Sequence, residues 1–367
     1  MTRAALRTAI VLVALLSAGC ASTFGARTVG NARFDYNTAI NHSEGEQLLL
    51  NLVRLRYRDA PTFLAVSSVV TQYEYVGSAS ASSTINVGGG GDSEIGTGAA
   101  LSYEERPTVS YTPVSGQAFA RQLLSPIQPT ALLLLSQEGW SIERLMICCM
   151  DRMNGVINAP SATGPTPASI PDNRAMRALA TSLGRLQDAA ALNIVVTQQN
   201  AGVEAEFQFD ADRIAQAGLE ADRRAVEQAL RLASDRDSYR VTYTGVARGG
   251  DTLDLRGRSL LGVMFALSHT VQVPPDHVAA GLVTTSAATA DGPRDWNEVV
   301  DGRFRVRSAA DRPEAAYVAV RYRDHWYYIA DGDLESKTTF LLMRYLLSLQ
   351  SAVAEGAGPL LTLQAGQ

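Results

Sequence analysis

The chain has 367 residues, a formal net charge of −5 and a hydrophobic content of 46%. A mildly acidic chain lacks the positive patch that binding to nucleic acid or to anionic lipid headgroups requires, so both functions are excluded. Three cysteines are too few for a disulfide framework, and the length accommodates one large or two smaller domains.

The N-terminus predicts export and lipid attachment. Arg3 and Arg7 precede an apolar run over residues 9–16 that is too short to span a membrane, which is the pattern of a secretory signal peptide. The run ends in Leu-Ser-Ala-Gly-Cys, which resembles the lipobox of bacterial lipoproteins. That resemblance implies cleavage before Cys20 and its acylation, for example by palmitate. Ala21 is not the aspartate of an inner-membrane retention signal, so we expect an outer-membrane anchor; an ordinary signal peptide with a chance cysteine is the alternative.

The next segments are assigned from local patterns. Residues 1–19 are the predicted signal peptide, and residues 20–42 are a predicted lipid-anchored tether. A helix is expected to begin at Ser43, because Ser43 and Glu46 have the spacing of a capping box and an apolar helical stripe follows. The apolar, β-branched residues 62–70 predict a strand.

Residues 69–111 alternate with a period of two on both sides of a glycine-rich segment at residues 88–91. Such alternation predicts a β-hairpin with one apolar and one polar face. Each arm has the ~9–11 residues that a tilted strand needs to cross a bilayer. Charged residues lie only at the base and the tip, and tyrosines lie near the base, as in an aromatic girdle. The hairpin is therefore a candidate membrane-spanning segment.

The alternation assigns two faces. The face expected to meet lipid contains Tyr73, Tyr75, Ala79, Ala81, Ile85, Val87, Ile95, Ala99, Leu101 and Tyr103. The face expected to line a water-filled lumen contains Ser78, Ser80, Ser82, Thr84 and Asn86. One hairpin alone would leave backbone groups at its edges unpaired in hydrocarbon, so it must close a ring with copies of itself. We therefore expect a homo-oligomer with a composite β-barrel; the alternative is a flexible arm, or a soluble hairpin packed on a neighbouring subunit.

The remaining sequence predicts a mixed body. Residues 43–160 are expected to contain the first helix, the hairpin and further helices, and residues 130–135 fit either a strand or a buried helix. The Pro-, Ser- and Thr-rich residues 161–172 predict a linker to a domain of interleaved helices and strand pairs over residues 173–367. The fold class is thus an α+β periplasmic body that carries one long amphipathic β-hairpin.

Three serines precede apolar helical patterns and are predicted to be N-caps: Ser141, Ser259 and Ser336. The helix that follows the first is expected to run to Met153. Within it, Cys148 and Cys149 are adjacent and are interpreted as small buried residues.

No motif for known chemistry occurs in the sequence. None of its four histidines has metal-ligand spacing, and neither a nucleophile elbow nor a phosphate-binding loop is present; the histidines are His42, His269, His277 and His325. Residues 331–333 (Asp-Gly-Asp) are expected to cap a helix rather than to bind calcium. Residues 325–328 are aromatic and could stack on a sugar, but are interpreted as a strand with Trp326 and Tyr328 inward. We therefore expect no enzyme, cofactor or metal.

Two resemblances bear on function. The lipobox and one small-residue hairpin on a periplasmic body resemble the layout of the curli secretion channel lipoproteins, whose anchored subunits form a ring and donate strands to one barrel. This resemblance is architectural and assigns no residues. Residues 51–69, 132–145 and 325–343 look like segments of uncharacterised proteobacterial outer-membrane lipoproteins, which implies no known activity.

We therefore predict an outer-membrane lipoprotein with its body in the periplasm. Its expected role is a homo-oligomeric ring or channel component for export or secretion, with partners in the envelope machinery and none among nucleic acids. The alternative is a non-channel lipoprotein that scaffolds a larger envelope assembly.

Overall fold

The computed structural model describes residues 26–84, 94–114, 117–199, 202–246, 249–351 and 361–364. The chain divides into two compact units. The first, called the body, consists of Met1–Pro61 and Ala120–Ala352; the second, called the arm, consists of Thr62–Phe119 and Val353–Gln367. The predicted signal peptide, Cys20 and the glycine-rich segment lie outside the described residues.

Helices and strands alternate along the described chain. The helices are α1 Ala26–Arg56, α2 Gln117–Leu124, α3 Pro129–Gln137, α4 Ile142–Cys149, α5 Arg174–Asp188, α6 Ala211–Ala217, α7 Glu220–Leu230, α8 Leu260–Ser268, α9 Pro275–Ala279, α10 Trp296–Val299 and α11 Leu334–Ser351. The strands are β1 Phe63–Thr84, β2 Glu94–Val114, β3 Met150–Met153, β4 Val156–Ile157, β5 Leu192–Gln199, β6 Gly202–Phe209, β7 Ser238–Thr242, β8 Thr252–Gly257, β9 Arg307–Ala309, β10 Ala316–Tyr322, β11 His325–Ala330 and β12 Leu361–Gln364. None of the described helices is long and apolar enough to cross a membrane.

The body confirms the α+β class. Its larger sheet has six strands in the order β4-β3-β8-β7-β6-β5, all antiparallel neighbours except the parallel pair β7 and β8. Its smaller sheet has the order β10-β11-β9. Residues 130–135, which fitted either a strand or a helix, belong to the helix α3.

The arm contains two long paired strands where the period-two alternation predicted them. β1 and β2 are antiparallel, with Phe63 opposite Val114 and Thr84 opposite Glu94. The strands therefore extend beyond residues 69–111, and β1 includes the short strand that was predicted before the hairpin. β12 pairs with the base of β2, so this sheet has the order β1-β2-β12.

The helix α1 begins at Ala26, so the start predicted at Ser43 is wrong. The Ser43 hydroxyl donates to the carbonyl of Ile40 within the helix instead of capping it. The C-terminal half of α1 packs against α8 and β10 and forms the centre of the body. Its fully buried apolar residues are Leu48, Leu49, Leu52, Val53 and Leu55.

Two of the three predicted caps are confirmed. The Ser141 side chain accepts from the Arg144 amide, and Ser259 accepts from the Gly262 amide. Ser336 is not the cap of α11, because Asp333 directly precedes the helix and its side chain accepts from the amide of Ser336. This confirms the capping turn predicted for residues 331–333.

The helix α4 is shorter than predicted. It ends at Cys149 rather than at Met153, and the chain continues directly into β3. Cys148 and Cys149 are buried free thiols, as predicted.

Residues 161–172 do not divide the chain, because the sequence on both sides of them belongs to the body. Ala162 and Ile170 are buried in a cluster with Trp296. Backbone groups of this segment find partners outside it: the carbonyl of Ala162 accepts from His269 Nε2 at 3.0 Å, and the amide of Ile170 donates to Ala287 at 3.0 Å. A Pro- and Ser-rich segment can therefore be buried in the core when its backbone polar groups are hydrogen-bonded.

His269 holds this segment in place as a neutral imidazole. Nε2 must carry the proton that it donates to Ala162, so Nδ1 accepts from the Thr166 hydroxyl, 3.3 Å away. The ring lies on Trp296 with centroids 4.1 Å apart. Burial lowers the pKa of His269 to about 4.

We expect this histidine to give the protein an acid-sensitive stability. The unfolded chain takes up a proton at this ring near pH 6.5, whereas the folded chain does so near pH 4. The stability from His269 is therefore complete above about pH 6.5 and is lost as the pH falls towards 4, by up to about 3 kcal/mol.

Denaturant unfolding of the wild type and of His269→Gln at pH 7.5, 6, 5 and 4 measures this effect. The variant should lose less stability over that range than the wild type, whereas His42→Gln, which changes an exposed histidine, should follow the wild type. A His269→Gln profile parallel to that of the wild type would contradict the assignment.

Candidate functional site

Most of the residues predicted to face lipid or lumen lie in the arm. The described members of the expected lipid face are Tyr73, Tyr75, Ala79 and Ala81 in β1, and Ile95, Ala99, Leu101 and Tyr103 in β2. The described members of the expected lumen face are Ser78, Ser80, Ser82 and Thr84 in β1. Ile85, Asn86 and Val87 lie outside the described residues.

The register brings the predicted apolar rows of the two strands together. Tyr75 lies opposite Tyr103, and Ala79 opposite Ala99. Odd-numbered residues thus pair with odd-numbered residues throughout this part of the sheet, and residues directly opposite each other share a face. A shift by one residue would have placed the apolar row of one strand beside the polar row of the other.

The same register groups the small polar residues on the opposite face. Ser78 lies opposite Ala100, Ser80 opposite Gly98 and Ser82 opposite Gly96. At the base of this face Glu74 lies opposite Glu104.

The sheet of the arm has two open stretches of strand edge. Among the described strands, none pairs with the outer edge of β1 over residues 71–84. β12 pairs with β2 from Thr108 to Tyr111, and over residues 94–105 no described strand lies on that edge. Such edges present backbone N–H and C=O groups that can pair with another chain.

A second candidate site lies in the body, at the end of α1. The amide of Arg58 donates to Leu55, and that of Asp59 donates to Arg54, which are the two hydrogen bonds of a Schellman C-cap. Arg58 accordingly has a positive φ of 62°. This termination fixes Tyr57 as the C-cap residue directly after Arg56, with its side chain buried.

The Tyr57 hydroxyl links two other side chains. It lies 2.6 Å from Nδ1 of His277 and 2.6 Å from the hydroxyl of Tyr327. His277 belongs to the short helix α9, and Tyr327 is in the middle of β11. Burial raises the pKa of Tyr57 and of Tyr327, so both phenols remain protonated hydrogen-bond donors.

Asp59 completes the polar network beside this link. Its carboxylate accepts from the hydroxyl of Tyr322 and from the Arg323 guanidinium, whose Nη2 lies 3.1 Å away. The hydrogen bond from Tyr322 and the guanidinium of Arg323 lower the pKa of Asp59. The guanidinium carbon also lies 5.2 Å from the centre of the Tyr57 ring, in cation–π geometry.

A tight turn places one more histidine here. Arg323 and Asp324 have φ values of 46° and 64° and connect β10 to β11, so His325 begins the second strand. The rings of His277 and His325 lie edge to face, with centroids 4.8 Å apart. Asp276, His277 and His325 offer ligand atoms that all lie within 4.8 Å of one another.

The prediction that Trp326 and Tyr328 point inward is wrong. Tyr327 and Ile329 are the fully buried residues of β11, while Trp326 and Tyr328 are half-buried. The guanidinium of Arg312 lies over the Trp326 ring at 5.3 Å, so one aromatic face that a sugar would need is covered.

Sequence reasoning missed the site around Tyr57. Its members come from the end of α1, from α9 and from the β10–β11 turn, and no sequence motif relates these three segments. The only available signals were the Asp276-His277 dipeptide after two prolines and a third histidine, His325, directly after an aspartate. Each is common by itself, and only the fold brings them together.

Comparison of the chain with models of known protein families, with curated proteins and with solved structures gave no match.

We expect Tyr57→Phe to destabilise the body by about 1–3 kcal/mol. The substitution removes one hydroxyl and leaves His277 and Tyr327, both buried, without the partner that they share. Denaturant unfolding at pH 7.5 measures the loss. The control Tyr345→Phe alters a side chain that is 49% exposed and should change the stability by no more than about 0.5 kcal/mol. Equal values for the two variants would refute the role given to Tyr57.

Proposed function

We propose that the chain is a lipid-anchored outer-membrane protein whose copies form a ring, as a channel component for export or secretion. Each copy would contribute its β1–β2 pair to a composite barrel, and the lipid on Cys20 would hold the body at the periplasmic side. The observation that carries the proposal is the register, which pairs the mainly apolar odd-numbered rows of β1 and β2 with each other and the mainly small or polar even-numbered rows with each other.

The length of the open strand edge fits a bilayer. The charge-free residues 95–103 span about 30 Å along the strand, which a tilt of about 40° reduces to about 23 Å, close to the apolar band about 25 Å tall of membrane barrels. The hydrocarbon core of a bilayer is about 25–30 Å thick. The paired tyrosines at positions 75 and 103 would lie at one interface, and the glutamates at positions 74 and 104 would remain in water beside them.

The open edges support an assembly of copies over an isolated hairpin. Inside hydrocarbon each unpaired backbone group costs several kcal/mol, so a single β1–β2 pair is not stable there. The β1 edge of one copy can pair with the β2 edge of the next, and repetition of this head-to-tail contact around an axis closes a ring. β12 pairs with residues 108–111 of β2, so the contact between copies would be confined to residues 94–105 of that strand.

We expect the two faces to differ in their tolerance of charge. Ala79 and Ser80 are neighbours at nearly the same depth but belong to opposite faces of the register. Ala79→Arg should cost roughly 2–4 kcal/mol per copy, because it places a guanidinium in lipid near the midplane. Ser80→Arg should be tolerated, because its side chain would reach the wet lumen.

The measurement is the amount of detergent-extracted oligomer in the outer-membrane fraction for each variant. Ala79→Arg should strongly reduce the oligomer, and Ser80→Arg should leave it near the wild-type amount. Equal tolerance of both substitutions would rule out membrane insertion of the arm and favour a lipoprotein that scaffolds another envelope assembly.

A further inference from the structure

The cluster of Asp276, His277 and His325 has the donor set of a transition-metal site. One carboxylate oxygen of Asp276 lies 3.9 Å from Nε2 of His277, and the other lies 3.9 Å from Nε2 of His325. Ligand atoms on a tetrahedral zinc ion are about 3.3 Å apart, given metal–ligand bonds of about 2.0–2.1 Å. The three ligand atoms lie within 4.8 Å of one another, so binding requires both an inward rotation of the Asp276 side chain, which is 64% exposed, and a closer approach of the two imidazoles.

Both imidazoles are held through the nitrogen that does not face the carboxylate. Nδ1 of His277 lies 2.6 Å from the Tyr57 hydroxyl, and Nδ1 of His325 lies 3.4 Å from the carbonyl of Arg323. Each Nε2 is thereby directed at Asp276. Histidines that bind metals are held in this manner, with the second nitrogen donating to an oxygen behind the ring, which fixes the tautomer and the orientation.

The surrounding charge and exposure also fit a cation. Arg323 lies close to this cluster, but its charge is balanced by the carboxylate of Asp59. His277 is buried, whereas the side chain of His325 is 22% exposed and Asp276 faces solvent. An ion bound by these three groups would therefore have protein on one side and a coordination position accessible to water on the other.

We propose that Asp276, His277 and His325 bind one divalent transition-metal ion per chain, with Zn²⁺ as the best match. Two imidazole nitrogens and one carboxylate suit zinc, cobalt or nickel, whereas calcium and magnesium take sets of oxygen ligands. The ion ties α9 to the β10–β11 turn. Through His277 it also reaches Tyr57 at the end of α1, which acts as a positioning residue.

The test uses the purified full chain in detergent, stripped with a chelator and titrated with ZnCl₂ against a chromophoric zinc indicator. One equivalent of zinc should bind to the wild type. Asp276→Asn and His325→Ala should weaken binding by at least about 100-fold, and Tyr57→Phe by about 10–100-fold, because it loosens the orientation of His277. His42→Ala, which removes an exposed histidine on α1, should leave the affinity unchanged.

Two further measurements separate a built site from surface binding or misfolding. Cobalt in place of zinc should give the visible absorption of a low-coordinate site in the wild type and in His42→Ala, and not in His325→Ala. Zinc should raise the melting temperature of the wild type, while all variants in chelator should retain a cooperative unfolding transition. Absence of stoichiometric zinc binding, or undiminished binding by a folded His325→Ala variant, would overturn the proposal.

Discussion

The unpaired backbone of the arm is the constraint on which the proposed assembly depends. Over residues 71–84 and 94–105 the two outer edges have no partner among the described strands, and groups of this kind cannot enter hydrocarbon unpaired. Insertion into a membrane also requires an apolar face, and the register meets this requirement because it places the mainly apolar rows of β1 and β2 side by side. In the proposed assembly, backbone pairing between copies and apolar contact with lipid would therefore occur together, and oligomerisation would be a condition of insertion.

The body is organised around a different constraint, the burial of the C-terminal half of α1. Its leucines fill the space between α8 and the smaller sheet, and the Schellman cap then positions Tyr57 against α9 and β11. Burial of a phenol requires a partner for its hydroxyl, and His277 and Tyr327 provide it. The ion site that we infer is thus supported by the same hydrogen bonds that stabilise the end of the helix.

Local patterns predicted the parts of this fold that depend on local physics. The alternation over residues 69–111 identified β1 and β2, and Ser141 and Ser259 marked true helix starts, because pleat and capping act between near neighbours. Local patterns failed where distant partners decide. Ala162 and Ile170 belong to the core because His269 and Ala287 form hydrogen bonds with their segment. Alternation in β11 defines two faces but does not indicate which face is buried, so the sequence did not show that Tyr327, and not Trp326, points inward. The cluster at Asp276, His277 and His325 depends entirely on tertiary contact.

An image of the particle extracted from the outer membrane in mild detergent tests the central claim most directly. We expect a closed ring of identical subunits, and we expect that deletion of residues 75–103 abolishes the ring while the body remains folded. A monomer that becomes fully soluble once Cys20 is replaced would contradict pairing of β1 and β2 between copies.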